Sequence, residues 1–248
     1  MTVTIVDEGT YSEPMHHALD EVILDRLNDG EIGPVLRFWY REGPAVPLGR
    51  FQAYEDEVAV DYVDSRSVDV VRRITGGGAM YVEPGDVITY SMYLPREDVP
   101  ADVEESYEVL DEWVIDGLRA VGLDVAHEPL NDITHPEGKI GGSAQLRSEH
   151  AVLHHTTMSY DLDIEAMLSA LRIGEEKVSD KAVRSAEKRV AVMREHIDAD
   201  REEVIESLKE TFAETYGGEP GSLDEETIET ARRLAQSKFS TDEWNKRL

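Results

Sequence analysis

The chain has 248 residues, 53 acidic against 25 basic side chains for a formal net charge of −28, and no cysteine. Such a surface repels nucleic acid and anionic membrane, whose binding depends on neutralising phosphates, and the lack of thiols excludes disulfides, thiolate metal sites and a cysteine nucleophile. No apolar run approaches the ~18 residues of a membrane span and no basic segment leads into an apolar core at the N-terminus, so a cytoplasmic protein is expected.

In chain order, Ser12 precedes Glu13-Pro14 and then Met15, Ala18, Leu19, Val22, Ile23 and Leu27, the pattern of a capped amphipathic helix ending near Gly30. Residues 35–40 are rich in β-branched and aromatic side chains and predict a strand; residues 68–74 predict a second, and 87–94 a third. Asp102 with Glu105 forms a capping-box pattern opening a helix through Val103, Tyr107, Leu110, Val114, Leu118 and Val121, stopped by Gly122. Strands are expected at 123–126, 139–146 and 151–162, and a helix at 164–171. From about residue 200 the periodicity is helical: Val204, Leu208, Phe212 and Tyr216 mark one helix. Ser222 with Glu225 opens another, through Ile228, Ala231 and Leu234. Scattered strands and helices without regular βαβ alternation predict a single α+β domain over residues 1–248, with mixed or antiparallel sheets flanked by helices.

Lysine is scarce, seven against 18 arginines, and the first 138 residues hold none. Scarce lysine with dispersed carboxylates resembles proteins of salt-accumulating microbes, whose cytosol screens the self-repulsion. The first lysine, Lys139, stands in Gly138-Lys139-Ile140-Gly141-Gly142-Ser143-Ala144. A compact ammonium beside exposed backbone N–H groups suits a phosphate or carboxylate; a solvated turn is the alternative. Arg72-Arg73-Ile74-Thr75-Gly76-Gly77-Gly78 ends a predicted strand, and its glycines let a ligand lie against main chain, with arginines and a hydroxyl as anion donors. It is neither a Walker loop nor a dinucleotide fingerprint. Asn131-Asp132 could form a turn or hold a hydroxyl, an amine or a metal ion. His154 and His155 are adjacent in a strand, so they face opposite ways and do not share a metal. Residues 181–190, with Lys181, Lys188 and Arg184, form a basic island that is either a solvated helix face or an anion contact.

Taken together and in order, these segments resemble lipoate–protein ligases of the biotin/lipoate ligase superfamily. The resemblance rests on Leu36-Arg37-Phe38-Trp39, Leu48-Gly49-Arg50-Phe51-Gln52, the run from Arg72 to Ala79, Asn131-Asp132, the run from Lys139 to Ala144, His154-His155-Thr156-Thr157, residues 181–190, and Asp242-Glu243-Trp244-Asn245. It implies a class II synthetase-like catalytic domain that uses ATP and Mg²⁺ to adenylate lipoate, then passes the lipoyl group to a lysine of a carrier domain. That carrier would be a 2-oxoacid dehydrogenase acyltransferase or a glycine-cleavage H protein. By the same resemblance Lys139 is catalytic, bridging the lipoyl carbonyl and the α-phosphate. Arg73, Thr75, Gly76, Gly77, Gly78, Gly142, Ser143, Ala144 and His155 bind lipoate or adenylate. Asn131 and Asp132 hold adenosine or metal, with Asp132 the metal ligand, and Lys181 belongs to a loop closing over the adenylate.

Two departures carry consequences. Many relatives have histidine where this chain has Val82, and full ligases carry a small C-terminal domain, whereas this chain stops four residues after Trp244. A separate small-domain subunit is therefore expected. Octanoyltransferases share the fold but work through a cysteine thioester, which a chain without cysteine cannot form. Octanoyl or biotin transfer by the same fold, and a non-catalytic lipoate-binding paralogue, are the alternatives.

Overall fold

A computed structural model of the chain describes residues 2–172 and 190–248. The elements in order are β1 (Thr4–Val6), β2 (Thr10–Tyr11), α1 (Glu13–Asn28), β3 (Val35–Phe38), β4 (Tyr40–Arg41), β5 (Ala45–Leu48), α2 (Tyr54–Glu57), α3 (Val60–Ser65), β6 (Asp69–Arg72), β7 (Val87–Pro95), α4 (Val103–Ala120), β8 (Ala126–Glu128), β9 (Asp132–His135), β10 (Gly138–Arg147), β11 (Ala151–Ser159), α5 (Ile164–Ala170), α6 (Arg201–Tyr216), β12 (Glu219–Pro220), α7 (Glu225–Leu234) and α8 (Asp242–Asn245), with a π turn at Ala235–Phe239. Strands β7 and β11 are buried along almost their whole length on both faces, which places them at the centre of the sheet. The sheet has eight strands in the order β12-β1-β3-β7-β11-β10-β9-β8, parallel from β12 to β3 and antiparallel beyond. The expected α+β class with a mixed sheet flanked by helices is what the chain adopts.

Strand alternation sends Leu36, Phe38, Tyr90 and Met92 to one face, where Trp113 and Val114 of α4 and Leu208 and Phe212 of α6 cover them. Val35, Tyr93 and Leu153 face the other way, against Leu19 and Ile23 of α1 and Phe239. A smaller parallel pair, β5 with β6, packs with α3 and α5 around Val46, Leu48, Val63 and Ala170. No helix among the described residues is long and apolar enough to cross a membrane.

Several local expectations shift. Ser12 stands at the N-cap of α1 but makes no capping bond. Helix α7 is capped by Asp224, which accepts from the Thr227 N–H, rather than by Ser222. The strand expected at 123–126 begins only at Ala126, because Leu123 and Val125 leave the sheet to fill the α4 core. At α4, Asp102 does accept from the Glu105 N–H.

Asp86, in the turn before β7, has a buried Oδ2 with no hydrogen-bond partner among the described residues. Burial, then Glu83 and Asp161, raise its pKa to about 6. The folded value lies above the unfolded one, so the cost is absent below about pH 4 and complete above about pH 6. Asp86→Asn is expected to stabilise the fold at pH 7.5 by about 1 kcal/mol, after discounting a half-buried group for solvent screening, with no gain at pH 3.5 in thermal melts.

Candidate active site

The turn after β6 is built around Arg73. Its guanidinium is buried and donates to the carbonyls of Pro47, Gly76 and Gly78 and, through Nε, to Thr75 Oγ1 at 3.1 Å. Burial lowers its pKa to about 10, which leaves it cationic at neutral pH. Arg73 therefore folds the glycine loop back on itself. Gly77 has φ +95°, a conformation L side chains rarely adopt, and its carbonyl lies 1.9 Å from where a Cβ on Gly49 would stand. Two glycines thus let two turns touch.

Facing this loop is β10. Its register with β11 pairs Gly142 with Thr157 and Ala144 with His155, so these four share one face. Ser143 pairs with Thr156 on the other face, where its hydroxyl donates to Asp111 Oδ2 at 2.7 Å. A register shift between Lys139 and Gly141 swings the Lys139 side chain back across the strand. Its Nζ donates to Asp132 Oδ1 at 2.6 Å and stands 2.8 Å from where a Cβ on Gly142 would be. Bare main chain at Gly142 makes room for the ammonium. The Ala191 N–H, donating to the Lys139 carbonyl at 2.9 Å, pins the strand at that point.

Loop and strand enclose a cavity of about 260 Å³. Lys139, half-exposed, marks its mouth. Met80, Ile140, Leu162, Met167 and Pro47 supply apolar wall; Trp39, His17, Glu13, Arg41 and Thr89 also line it. Behind it runs a directed hydrogen-bond chain. Asp20 Oδ2 lies 3.0 Å from His155 Nδ1, and His155 Nε2 lies 2.8 Å from Thr75 Oγ1. Burial lowers the His155 pKa against the pull of Asp20, which keeps the ring neutral at neutral pH. Nδ1–H then donates to Asp20, and Nε2 accepts from Thr75.

Of the residues singled out from sequence, Lys139, Arg73, Gly77, Gly78, Asn131, Gly142, Ser143, Ala144 and His155 line this one cavity. Thr75, Gly76 and Asp132 are not among its lining residues. Thr75 is fully buried and ties His155 to Arg73, Gly76 offers its carbonyl to Arg73, and Asp132 holds the ammonium. Ser143 touches the cavity with its hydroxyl donating to Asp111, and Asn131 with its Nδ2 donating to the Ser143 carbonyl at 2.5 Å. Lys181 lies outside the described residues, as does most of the basic island. Arg72 is structural: it donates to carbonyls of Gly49, Gln52 and Asn245. Val82 is fully buried, bridged to Ala45. His154 and His155 do face opposite ways, toward Asp111 and Asp20. No group of three or more histidine or acidic side chains among the described residues could hold a metal.

Sequence reading missed Glu13, His17, Arg41, Met80, Leu162 and Met167. One signal was available: His16-His17 is a polar pair on a helix whose neighbours Ala18 and Leu19 are apolar, so a polar group had to enter the interior.

The sequence pattern of the lipoyl protein ligase A/B catalytic domain matches residues 13–213. Lipoate-protein ligase A subunit 1 of Thermoplasma acidophilum is 33% identical over 243 residues, covering 93% of this chain and 91% of that protein. Octanoyltransferase LipM of Kyrpidia tusciae is 33% identical over 275 residues, covering 99% of each. The structure of a bi-partite lipoate protein ligase from T. acidophilum, described with its E2 lipoyl domain, superposes with a TM-score of 0.87 at 30% identity, covering 99% of this chain and 95% of that one. A T. acidophilum protein with bound lipoic acid (TM-score 0.86, 28% identity, the whole of both chains) and a lipoate-protein ligase A bound with ATP (0.86, 28%, 99% of both) superpose as well.

Proposed function

Because the chain belongs to the lipoyl protein ligase A/B catalytic domain family, whose relatives include both lipoate ligases and octanoyltransferases, we propose that it is an ATP-dependent lipoate–protein ligase. The observation that carries the choice is the absence of cysteine from all 248 residues. Acyl transfer through a thioester needs a thiol. Transfer through an acyl-adenylate needs instead a cation where carboxylate and phosphate meet, and Lys139 supplies one at the mouth of the cavity.

In this reading the lipoate tail enters between the Met80–Met167 wall and Trp39, leaving its carboxylate at Lys139. A carboxylate oxygen attacks the α-phosphorus of ATP and pyrophosphate leaves. The carrier's lysine amine then attacks the acyl carbon, AMP leaves, and the amine's proton is lost to solvent. Lys139 neutralises the crowded oxygens, and the Gly77 and Gly78 main chain lies alongside. Asp132, whose Oδ1 is taken by the Lys139 ammonium, would offer magnesium a single carboxylate oxygen, with phosphate oxygens completing the shell. Bound there, Mg²⁺ would offset phosphate charge. Asn131 would face the adenosine, and Lys181 would close over the adenylate. Supported by the bi-partite T. acidophilum protein, the reading includes a separate small-domain subunit and a lipoyl-domain acceptor.

The test is lipoate incorporation into a lipoyl domain at high KCl, with and without a candidate small-domain polypeptide. ATP-dependent mass gain of the carrier supports the ligase. Transfer from an octanoyl thioester without ATP would establish the octanoyltransferase reading instead, and no transfer in either arm a binding paralogue. The acid excess also implies a salt-rich cytosol. The melting temperature should rise steadily between ~0.1 and ~2 M KCl, as screening removes self-repulsion. Gly142→Ala places a methyl against the Lys139 ammonium. It is expected to lower kcat about tenfold by misplacing the charge, with an unchanged circular-dichroism melt because the flexible lysine end gives way.

A further inference from the structure

Strand β6 pairs on one side only, with β5. At its last residue the other edge is taken by α8. Asn245 Oδ1 accepts from the Arg72 N–H at 2.9 Å, and Trp244 Nε1 donates to the Arg72 carbonyl at 2.7 Å. Two side chains from the far end of the sequence supply the acceptor and the donor that a neighbouring strand would. The buried Arg72 guanidinium completes the joint. Its Nε donates to the Trp244 carbonyl at 3.2 Å and its Nη2 to the Asn245 carbonyl at 2.9 Å, while Nη1 donates to the Gly49 and Gln52 carbonyls at 3.1 and 2.6 Å.

Two routes lead from Arg72 to the glycine loop. Along the chain, Arg73 follows at once and its guanidinium holds the Gly76 and Gly78 carbonyls. Across the chain, the turn at 49–52 abuts Gly77, whose carbonyl leaves no space for a Cβ on Gly49. The Arg73 N–H donates to the Leu48 carbonyl at 2.8 Å and the Arg50 N–H to the Thr75 carbonyl at 2.9 Å, so the two turns are tied to each other as well. Three glycines have little conformational preference of their own, so what holds the loop is what surrounds it. Arg73, Gly77 and Gly78 line the cavity; Trp244 and Asn245 do not, and both lie beyond residues 13–213, the stretch matched by the family pattern.

We propose that Trp244 and Asn245 are positioning residues for the bound acid: by fixing Arg72 they set where the glycine loop stands over the cavity. The identity of the acid rests on the lipoate-ligase reading of that cavity. The coupling from α8 to the loop does not.

Two variants separate the bonds from the packing. Trp244→Phe keeps a ring beside Lys238 and Arg247 and removes the N–H. Asn245→Ala removes the acceptor for the Arg72 N–H, along with its own bond to the Phe239 carbonyl. Amide hydrogen exchange of the whole chain without ligand reads the coupling. In either variant the Arg50 and Arg73 amides should exchange roughly five- to tenfold faster, the scale of one net hydrogen bond. Asp224→Ala, which uncaps α7 and touches neither turn through its hydrogen bonds, should cost comparable stability and leave those two amides unchanged. Calorimetric titration with free lipoate reads the consequence. The variants should bind roughly fivefold more weakly than wild type and than Asp224→Ala. Their kcat for pyrophosphate release at saturating lipoate should stay within about twofold, because Lys139 is carried by β10, to which neither residue hydrogen-bonds. Wild-type exchange at Arg50 and Arg73 in both variants overturns the inference, and so does exchange raised equally in Asp224→Ala. Faster exchange with unchanged lipoate affinity also overturns it, leaving α8 a support of the fold alone. Weaker binding in the variants, with no ATP-dependent turnover in wild type, would leave the inference standing and remove the ligase reading. Failure of wild type to bind lipoate would remove both.

Discussion

Lys139→Ala is expected to lower acyl-adenylate formation by roughly 10²–10³-fold, the scale seen when one preorganised donor to a developing charge is removed, while the melting curve stays within a degree or two of wild type. The fold should be spared because the lysine is half-exposed and its one ion pair, with Asp132, is of a kind worth little in water. Activity should not be spared, because no other cation among the described cavity-lining residues is free. Arg73 is spent on the carbonyls of Pro47, Gly76 and Gly78, and Arg41 on Glu13 and Thr89. Lys139→Arg should rescue little. A guanidinium is planar and broad, whereas the slot above Gly142 holds a point charge 2.8 Å from where a methyl would already intrude. Pyrophosphate release measured with lipoate and ATP reads the first step alone. Wild-type release in Lys139→Ala would show that the ammonium neutralises nothing at the reacting centre.

That lysine was legible in the sequence because it stood alone: a chain avoiding lysine for 138 residues placed one among glycines. The glycine run and the central strands were legible for related reasons, since local composition forces local conformation. The failures share a cause too. Strand β9 is short and begins at Asp132, beside a turn-favouring Asn-Asp, so only its partner β10 makes it a strand. Strand β5 contains Pro47 and reads as a turn until β6 lies beside it. The cavity walls come from α1, the segment after β3, the glycine loop, β10, β11 and α5, brought together by sheet order and by no spacing in the chain. Thr75, expected to bind ligand, is fully buried, and His155 reaches its hydroxyl across 80 positions of sequence. The direction of that side chain is set by the partner strand and is not written in its own segment.

The same long reach makes Asp20 a vulnerable buried residue. Its carboxylate accepts from Arg37 Nη2 at 2.8 Å, Ser91 Oγ at 2.8 Å, Tyr93 OH at 2.5 Å and His155 Nδ1 at 3.0 Å, all without solvent. Burial opposes its charge, but the His155 hydrogen bond and the Arg37 guanidinium prevail and hold the carboxyl well below its ordinary range. Asp20→Ala strands a buried arginine, a loss of about 3–5 kcal/mol, and the melting temperature should fall by about 10 °C or more. The sign with pH follows from the depressed pKa. The stabilisation is complete above the unfolded value near pH 4 and fades as pH falls below it, so the gap between wild type and Asp20→Ala should narrow between pH 7 and pH 3. The change should also reach the site. Without Asp20 nothing fixes the His155 tautomer, Thr75 loses its defined acceptor, and the Arg73-held loop is freed on one side. At a temperature where the variant is still folded, KM for the acid should therefore rise several-fold, the expected effect of loosened positioning. Asp20→Asn, which preserves volume and one acceptor, should fall between the two. A variant that lost stability but kept wild-type KM would show that the chain from Asp20 to the glycine loop holds the fold together without positioning the ligand.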